Sequence, residues 1–166
     1  MKLIKVDPKR YIEYHEAIDD ASESCYQFTG GKLSFSLEKT KSYLTRIASD
    51  DSRRDFFMID EDKIIGEVVL NEMDGDACNT RIAIFNEKYQ NKGFGKIALK
   101  EVLKLGFNEL NLHRIELEVY DFNTRGIHVY KQLGFVEEGV LRDAYKDENG
   151  YHNIIVMSML KNEFKD

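Results

Sequence analysis

Two glycines one residue apart, in Tyr89-Gln90-Asn91-Lys92-Gly93-Phe94-Gly95-Lys96, stand directly before the apolar-periodic run Ile97 to Phe107. The pattern is a loop that opens into a helix. A residue without a Cβ lets backbone N–H groups come close to a ligand. The start of a helix adds unpaired N–H donors and the positive end of the macrodipole. With Lys92 and Lys96 nearby, such a loop suits a phosphate or pyrophosphate. Taken alone, the same residues also describe a tight turn before a helix.

The segments around this loop read as alternating strands and helices. Leu3 to Val6 is a strand, and Asp7-Pro8 supplies an N-cap followed by proline at the first helical position. The helix it opens carries Tyr11, Ile12, His15 and Ile18 at loose helical spacing, with Glu13, Glu16, Asp19 and Asp20 elsewhere. Gly30-Gly31 marks a loop, and Ser36 caps a second helix over Leu37 to Ala48. Phe56 to Ile59, Ile64 to Leu70 and Thr80 to Phe85 are strands, separated by the turns Asp60-Glu61-Asp62 and Asp74-Gly75-Asp76. After the helix from Gly95 to Phe107 come a strand from Arg114 to Tyr120 and a helix over Asn123 to Leu133. Closing strands around Phe135 to Tyr145 and Ile154 to Leu160 flank the turn Asp147-Glu148-Asn149-Gly150. The order β-α-α-β-β-β-α-β-α-β-β predicts an α+β fold with a mixed sheet and helices on both faces.

The 166 residues suit a single domain over 1–166. A net charge of −6 argues against partners that require phosphate neutralisation, such as nucleic acids. It is compatible with a cationic partner and equally with an acidic surface that has no such purpose. Cys25 and Cys78 form no disulfide framework or zinc pattern, so a cytoplasmic home and buried thiols are expected. His15, His113, His128 and His152 have no ligand spacing, so no metal is expected. No apolar run reaches membrane-spanning length, and no membrane partner is expected.

A second block, Asn123-Thr124-Arg125-Gly126-Ile127-His128-Val129-Tyr130-Lys131-Gln132-Leu133-Gly134-Phe135, follows one helix and one strand after the first. Q-x-x-G-x-G and then N-x-R-G-x-x-x-Y-x-x-x-G-F resembles the coenzyme A half of the GNAT acetyltransferase superfamily. Val140-Leu141-Arg142-Asp143-Ala144-Tyr145 with Tyr151-His152-Asn153 is similar to its branch of ribosomal-protein N-terminal and spermidine acetyltransferases. The resemblance covers about Phe57 to Leu160 and is thin over the first 50 residues.

That resemblance implies a GNAT-like, mostly antiparallel central sheet, acetyl-CoA as acyl donor, and an amine acceptor: a peptide N-terminus or a small amine such as a polyamine. It implies that Ala83, Ile84 and Phe85 offer backbone groups to the pantetheine arm, and that Gln90, Asn91, Lys92, Gly93, Phe94, Gly95 and Lys96 hold the pyrophosphate. Gln90 stands where many relatives have arginine, which leaves charge-assisted anchoring to Lys92 or Lys96. Asn123 is implied as a pantetheine contact and is equally a good helix N-cap. Gly126 replaces the usual alanine, at a helix cost of roughly 1 kcal/mol. Tyr130 is the implied general acid for the departing thiolate. No carboxylate stands in Cys78-Asn79-Thr80-Arg81, where some relatives carry their base, which leaves Glu67, Glu72 or Glu118, or solvent.

For the acceptor, Glu13, Glu16, Asp19, Asp20 and Glu23 with Tyr26 and Phe28 form a candidate wall, and Tyr145 and Tyr151 a candidate opposite side. A homodimer is compatible with the resemblance. Two other readings stand beside it. One is a non-catalytic acetyl-CoA-binding module. The other is a dinucleotide fold, because Gly93-Phe94-Gly95-Lys96-Ile97-Ala98 fits G-x-G-x-x-A with Glu116 or Glu118 downstream. Against the second, the polar stretch Asn86 to Lys92 separates the glycines from their strand.

Overall fold

Strand and helix propensities settle into one seven-stranded sheet, ordered β1-β2-β3-β4-β5-β7-β6, in the computed structural model. The structure describes residues 1–28 and 35–165. The expected Gly30-Gly31 loop lies outside the described residues. The strands are β1 (Lys2–Lys5), β2 (Arg54–Asp60), β3 (Lys63–Asp74), β4 (Ala77–Ile84), β5 (Arg114–Tyr120), β6 (Val136–Asp147) and β7 (Gly150–Leu160). All neighbours pair antiparallel except β4 and β5, which run parallel because α4 (Phe94–Lys104) crosses over between them. The remaining helices are α1 (Tyr11–Asp19), α2 (Glu23–Gln27), α3 (Leu37–Ala48) and α5 (Thr124–Leu133). The mostly antiparallel α+β architecture expected from the sequence is the one observed.

Two local expectations are corrected. Asp7 does cap the first turn, accepting from the Lys9 N–H at 2.9 Å, but Pro8–Arg10 is a 3-10 turn and the α-helix begins at Tyr11. Three helices rather than two precede β2, because α2 spans only five residues, too few to display a period.

Each face of the sheet has its own core. Leu99, Val102, Leu103 and Phe107 of the α4 segment bury against Leu70, Ile115, Leu117, Met157 and Met159. On the opposite face Tyr14 of α1 and Leu44 and Ile47 of α3 close over Phe57, Ile59 and Phe85. Helix α4 continues into a wider turn at Leu105–Glu109, where the Leu110 N–H reaches back to Leu105 O at 2.9 Å. No helix among the described residues is long and apolar enough to cross a membrane.

Candidate active site

The parallel pair opens a gap in the middle of the sheet. β4 and β5 are in register only from Ala77↔Arg114 to Asn79↔Glu116, and beyond that point they diverge. The Phe85 N–H donates to Ile65 O at 2.9 Å, so these residues form a hydrogen-bonded pair between β4 and β3. Alternation along an antiparallel ladder gives Ala83 the same orientation and turns the N–H and C=O of Ile82 and Ile84 into the gap. Unpaired backbone groups inside a fold call for a partner.

Of the expected trio, then, only Ile84 directs its main chain into the gap, and Ile82 is the second residue to do so. Phe85 is corrected outright. Its carbonyl accepts from the Ser22 N–H at 2.8 Å, and its ring is buried beside Tyr14 on the other side of the sheet. Ala83 lines the gap without offering main-chain groups to it.

At the end of β4, Asn86 caps a short turn over Glu87–Tyr89, and the chain then swings back through two left-handed residues, Asn91 (φ 58°) and Gly93 (φ 78°). Asparagine and glycine are the residues that tolerate this conformation. Gly93 becomes the N-cap of α4, and the first helical bond closes from the Ile97 N–H to Gly93 O at 3.1 Å. The N–H groups of Phe94, Gly95 and Lys96 therefore have no helical partner and open on the cleft.

This cleft, of about 290 Å³, is walled by Ile82, Ile84, Gln90, Gly95, Asn123 and Tyr130 among others. Asn91, Gly93, Phe94 and Lys96 also line it, whereas Lys92 does not. Its ammonium lies 5.6 Å from the Tyr89 ring, outside the cleft. The charge missing at Gln90 arrives from a residue that sequence reasoning did not single out. The Arg125 guanidinium donates to Gln90 Oε1 at 2.5 Å, while Gln90 Nε2 donates to Ser24 Oγ at 3.2 Å. Arginine in the first turn of the helix after Asn123 was the available signal. Lys96 Nζ donates to Gln132 Oε1 at 3.2 Å across the cleft.

Asn123 caps α5, its Oδ1 accepting from the Gly126 N–H at 2.9 Å. Among the described residues its Nδ2 has no hydrogen-bond partner, so capping leaves the amide donor available. Tyr130 stands on the next turns of the same helix, edge-on to Phe135 at 5.9 Å. Its hydroxyl makes no hydrogen bond among the described residues, and burial pushes it up to about 12. Cys25 also lines the cleft, where burial pushes its thiol up to about 11 and keeps it protonated.

Through the gap a second cavity of about 290 Å³ opens on the α1/α3 side. It shares Phe28, Ile82, Ala83, Asn123 and Tyr130 with the first and adds Glu67, Arg81, Glu118 and Tyr120. Glu67 accepts from the Tyr14 hydroxyl at 2.7 Å and lies 3.5 Å from Arg81 Nη2. Glu118 is exposed and has no ion pair or hydrogen bond among the described residues. Glu72 does not line this cavity. It sits at a bulge of β3 with φ 55°, exposed, in an adjoining hollow with Arg53 and Asn79 that Thr80, Arg81 and Glu118 also line.

The acidic wall expected from the first helix is also elsewhere. Glu13 pairs with Arg10, Asp19 with His15 (3.4 Å) and Asp20 with Lys88 (3.7 Å), and Glu13, Glu16 and Asp20 line a hollow away from Tyr130. Glu23 lines neither cavity. Tyr26 lies in a neighbouring pocket with Tyr14, while Phe28 reaches both cavities and stacks on Phe122 at 6.0 Å. Tyr145 stacks on Tyr120 at 4.3 Å at the rim, but Tyr151 is 62% exposed beneath Lys146 and closes nothing.

The family model of the acetyltransferase (GNAT) domain matches residues 2–136. The chain belongs to the GNAT acetyltransferase family. The spermidine N(1)-acetyltransferase of Vibrio cholerae is 30% identical over 132 residues, 78% of this chain and 76% of that one. The enzyme of the same name from Escherichia coli (strain K12) is 30% identical over 156 residues, 93% and 82% of the two chains. A crystal structure of the Vibrio cholerae spermidine N-acetyltransferase in complex with CoA and spermine matches with a TM-score of 0.85 and 25% identity, covering 98% of this chain and 96% of that one. Like other GNAT proteins, this chain is an N-acetyltransferase and transfers acetyl groups to amines. The dinucleotide reading and the non-catalytic module both fall away. The turn at Glu87–Tyr89 also intervenes between β4 and the glycines, where a dinucleotide fold has none.

Proposed function

We propose that the chain binds acetyl-CoA in the cleft between α4 and α5 and transfers its acetyl group to an amine that enters from the cavity behind the gap. The amine nitrogen attacks the thioester carbon directly, the C–N bond forms, and the C–S bond breaks to release a thiolate. The observation that carries this reading is the position of Tyr130, which lines both cavities and whose hydroxyl has no hydrogen-bond partner among the described residues. The N–H groups of Phe94, Gly95 and Lys96 with Arg125 fit a pyrophosphate, and the main chains of Ile82 and Ile84 with Asn123 Nδ2 fit an amide-bearing arm. Direct attack is favoured over a covalent enzyme intermediate because the cysteine of the cleft, Cys25, is held as a neutral thiol.

The elevated pKa of Tyr130 refines its role. Full proton transfer from a group near 12 to a thiolate of ordinary pKa, about 8.5, is uphill by about 5 kcal/mol. The hydroxyl thus acts mainly as a hydrogen-bond donor to the charge growing on sulfur. The proton that ends on the thiol comes from the amine, which becomes far more acidic once the C–N bond has formed. Glu67 and Glu118 share the acceptor cavity and are the carboxylates positioned to relay the first proton from the ammonium, directly or through water.

Mass spectrometry of the protein with acetyl-CoA and a pooled panel of polyamines, amino acids and short peptides is the direct test. An acetylated amine is the expected result; acetyl-CoA binding without any product would count against catalysis. Tyr130→Phe is expected to lower kcat by about 10²–10³, the usual loss for one donor to developing charge, with little change in acetyl-CoA affinity. Near-normal turnover in that variant would remove the hydroxyl from the mechanism.

A further inference from the structure

The acceptor cavity contains an arginine with most of its donors unused. Arg81 sits on β4 next to the gap, and a single nitrogen, Nη2, makes both of its contacts: to the Tyr43 hydroxyl at 3.1 Å and to Glu67 Oε1 at 3.5 Å. Nε and Nη1 have no partner among the described residues. The side chain is half exposed and lines the same cavity as Tyr130 and Glu118. Arg81 and Glu118 each lie two residues past the last paired positions, Asn79↔Glu116, so both side chains face the same side of the sheet, and both line the cavity at the opening gap.

The charges divide unevenly. Glu67 is balanced by Arg81 and accepts from Tyr14, which leaves Glu118 as the one uncompensated carboxylate lining this cavity among the described residues; Glu72, in the adjoining hollow, accepts from Asn71 Nδ2 at 3.3 Å. Glu13, Asp19 and Asp20 pair with Arg10, His15 and Lys88, and Glu16 lines a hollow away from this cavity. A polyamine entering here would bring several ammonium groups to one free carboxylate and one free guanidinium face, and the second contact is repulsive. A molecule with one ammonium and one carboxylate meets an opposite charge at both ends. Arginine is also the side chain whose fork of donors matches a carboxylate.

From this geometry we infer that the acceptor is a small amine that also carries a carboxylate, an amino acid in the broad sense, with its carboxylate on Arg81 and its ammonium facing Glu118. The inference rests on the acetyl-transfer reading above and narrows its substrate class. Phe28 and Tyr120, stacked on Phe122 and Tyr145, supply an apolar wall for the remainder of the molecule.

Matched acceptors that differ only by the carboxylate test it: tyrosine against tyramine and lysine against cadaverine, with spermidine alongside, each assayed for kcat/KM at fixed acetyl-CoA. In the wild-type protein the carboxylate-bearing member of each pair is expected to be preferred by about 10- to 100-fold, the scale of a charge-assisted contact. Arg81→Met is expected to collapse that ratio towards one, and Arg81→Lys to restore part of it. Because Arg81 also balances Glu67, acetyl-CoA binding by calorimetry reports whether each variant is folded, and the wild-type ratio stands without any variant. Tyramine, cadaverine or spermidine used as well as or better than the amino acids overturns the inference while leaving acetyl transfer intact. A ratio unchanged in folded Arg81→Met overturns it too. If no acceptor is acetylated although acetyl-CoA binds, both the transferase reading and this one fail.

Discussion

Gln90 and Arg125 illustrate how a charge can move between positions without leaving the site. A neutral amide at Gln90 cannot make a charge-assisted bond, yet its carbonyl oxygen holds the Arg125 guanidinium at the mouth of the same loop. Arg125→Met is therefore expected to raise the Kd for acetyl-CoA by about tenfold, with a weaker salt dependence than wild type; isothermal titration at two salt concentrations measures both. An unchanged Kd would return the anchoring role to Lys96 and the backbone. One residue further on, Gly126 looks like a helix defect of about 1 kcal/mol that alanine should repair. The structure argues otherwise. A Cβ there would lie 2.7–3.0 Å from the side-chain amide of Asn123, the group that caps the helix. Cap loss costs about as much as the propensity gain, so Gly126→Ala is expected to give no rise in Tm. A clear rise would mean that Asn123 can cap α5 from another rotamer.

The loop before α4 behaves as a unit, and its two glycines do different work. Gly93 needs its positive φ, and nothing lies within 4 Å of a Cβ placed there; Gly95 is helical, and a Cβ would only touch Ile84 and Ile82 at 3.6–3.7 Å. Gly93→Val should then destabilise the fold by about 1–2 kcal/mol through backbone strain. Gly95→Val should leave the melting temperature nearly unchanged and abolish acetyl-CoA binding, since its branches project into the cleft. Thermal melts paired with titrations separate the two outcomes, and binding by Gly95→Val would dismiss this loop as the pyrophosphate cradle. The same contrast explains what was legible from the chain. The cleft is built from contiguous blocks, Gln90 to Lys96 and Asn123 to Tyr130, where spacing along the sequence is spacing in space. The acceptor cavity draws Glu67 from β3, Arg81 from β4 and Glu118 from β5, and no local pattern links them. Glu72 was eligible as a carboxylate on a neighbouring strand and the α1 acids as a run of negative charge. Only strand register and helix facing set them outside the acceptor cavity, and both are tertiary facts. Helix α2 escaped notice for want of length, and Phe85 because one step of strand alternation reverses which backbone groups face the gap.

At the scale of the molecule, the two cores flanking the sheet enclose several groups that titrate only at high pH. Burial raises Cys25 from 9.0 to about 11, Cys78 from 9.0 to about 12 and Tyr130 from 10.0 to about 12, and it raises Tyr14 well above 10.0 with help from the neighbouring Glu67. Each shift has the same sign: the folded state keeps a proton that the unfolded chain releases. Below about pH 8 both states hold nearly all of these protons, and the groups contribute almost no pH dependence. Between about 8 and 12 the unfolded chain binds fewer protons than the folded one, so stability falls as pH rises. The Tm is accordingly expected to be level up to about pH 8 and to decline increasingly steeply beyond it, measured by circular dichroism in overlapping buffers. Removing two of the four groups in Cys25→Ala/Cys78→Ala should lower the Tm near neutrality, because core volume is lost, and yet flatten the alkaline decline. The slope above pH 9, rather than the Tm itself, is the discriminating quantity. A slope as steep in the double variant as in the wild type would mean that both thiols are solvated well enough to ionise in the folded protein, and that Cys25 is available as a thiolate in the cleft after all.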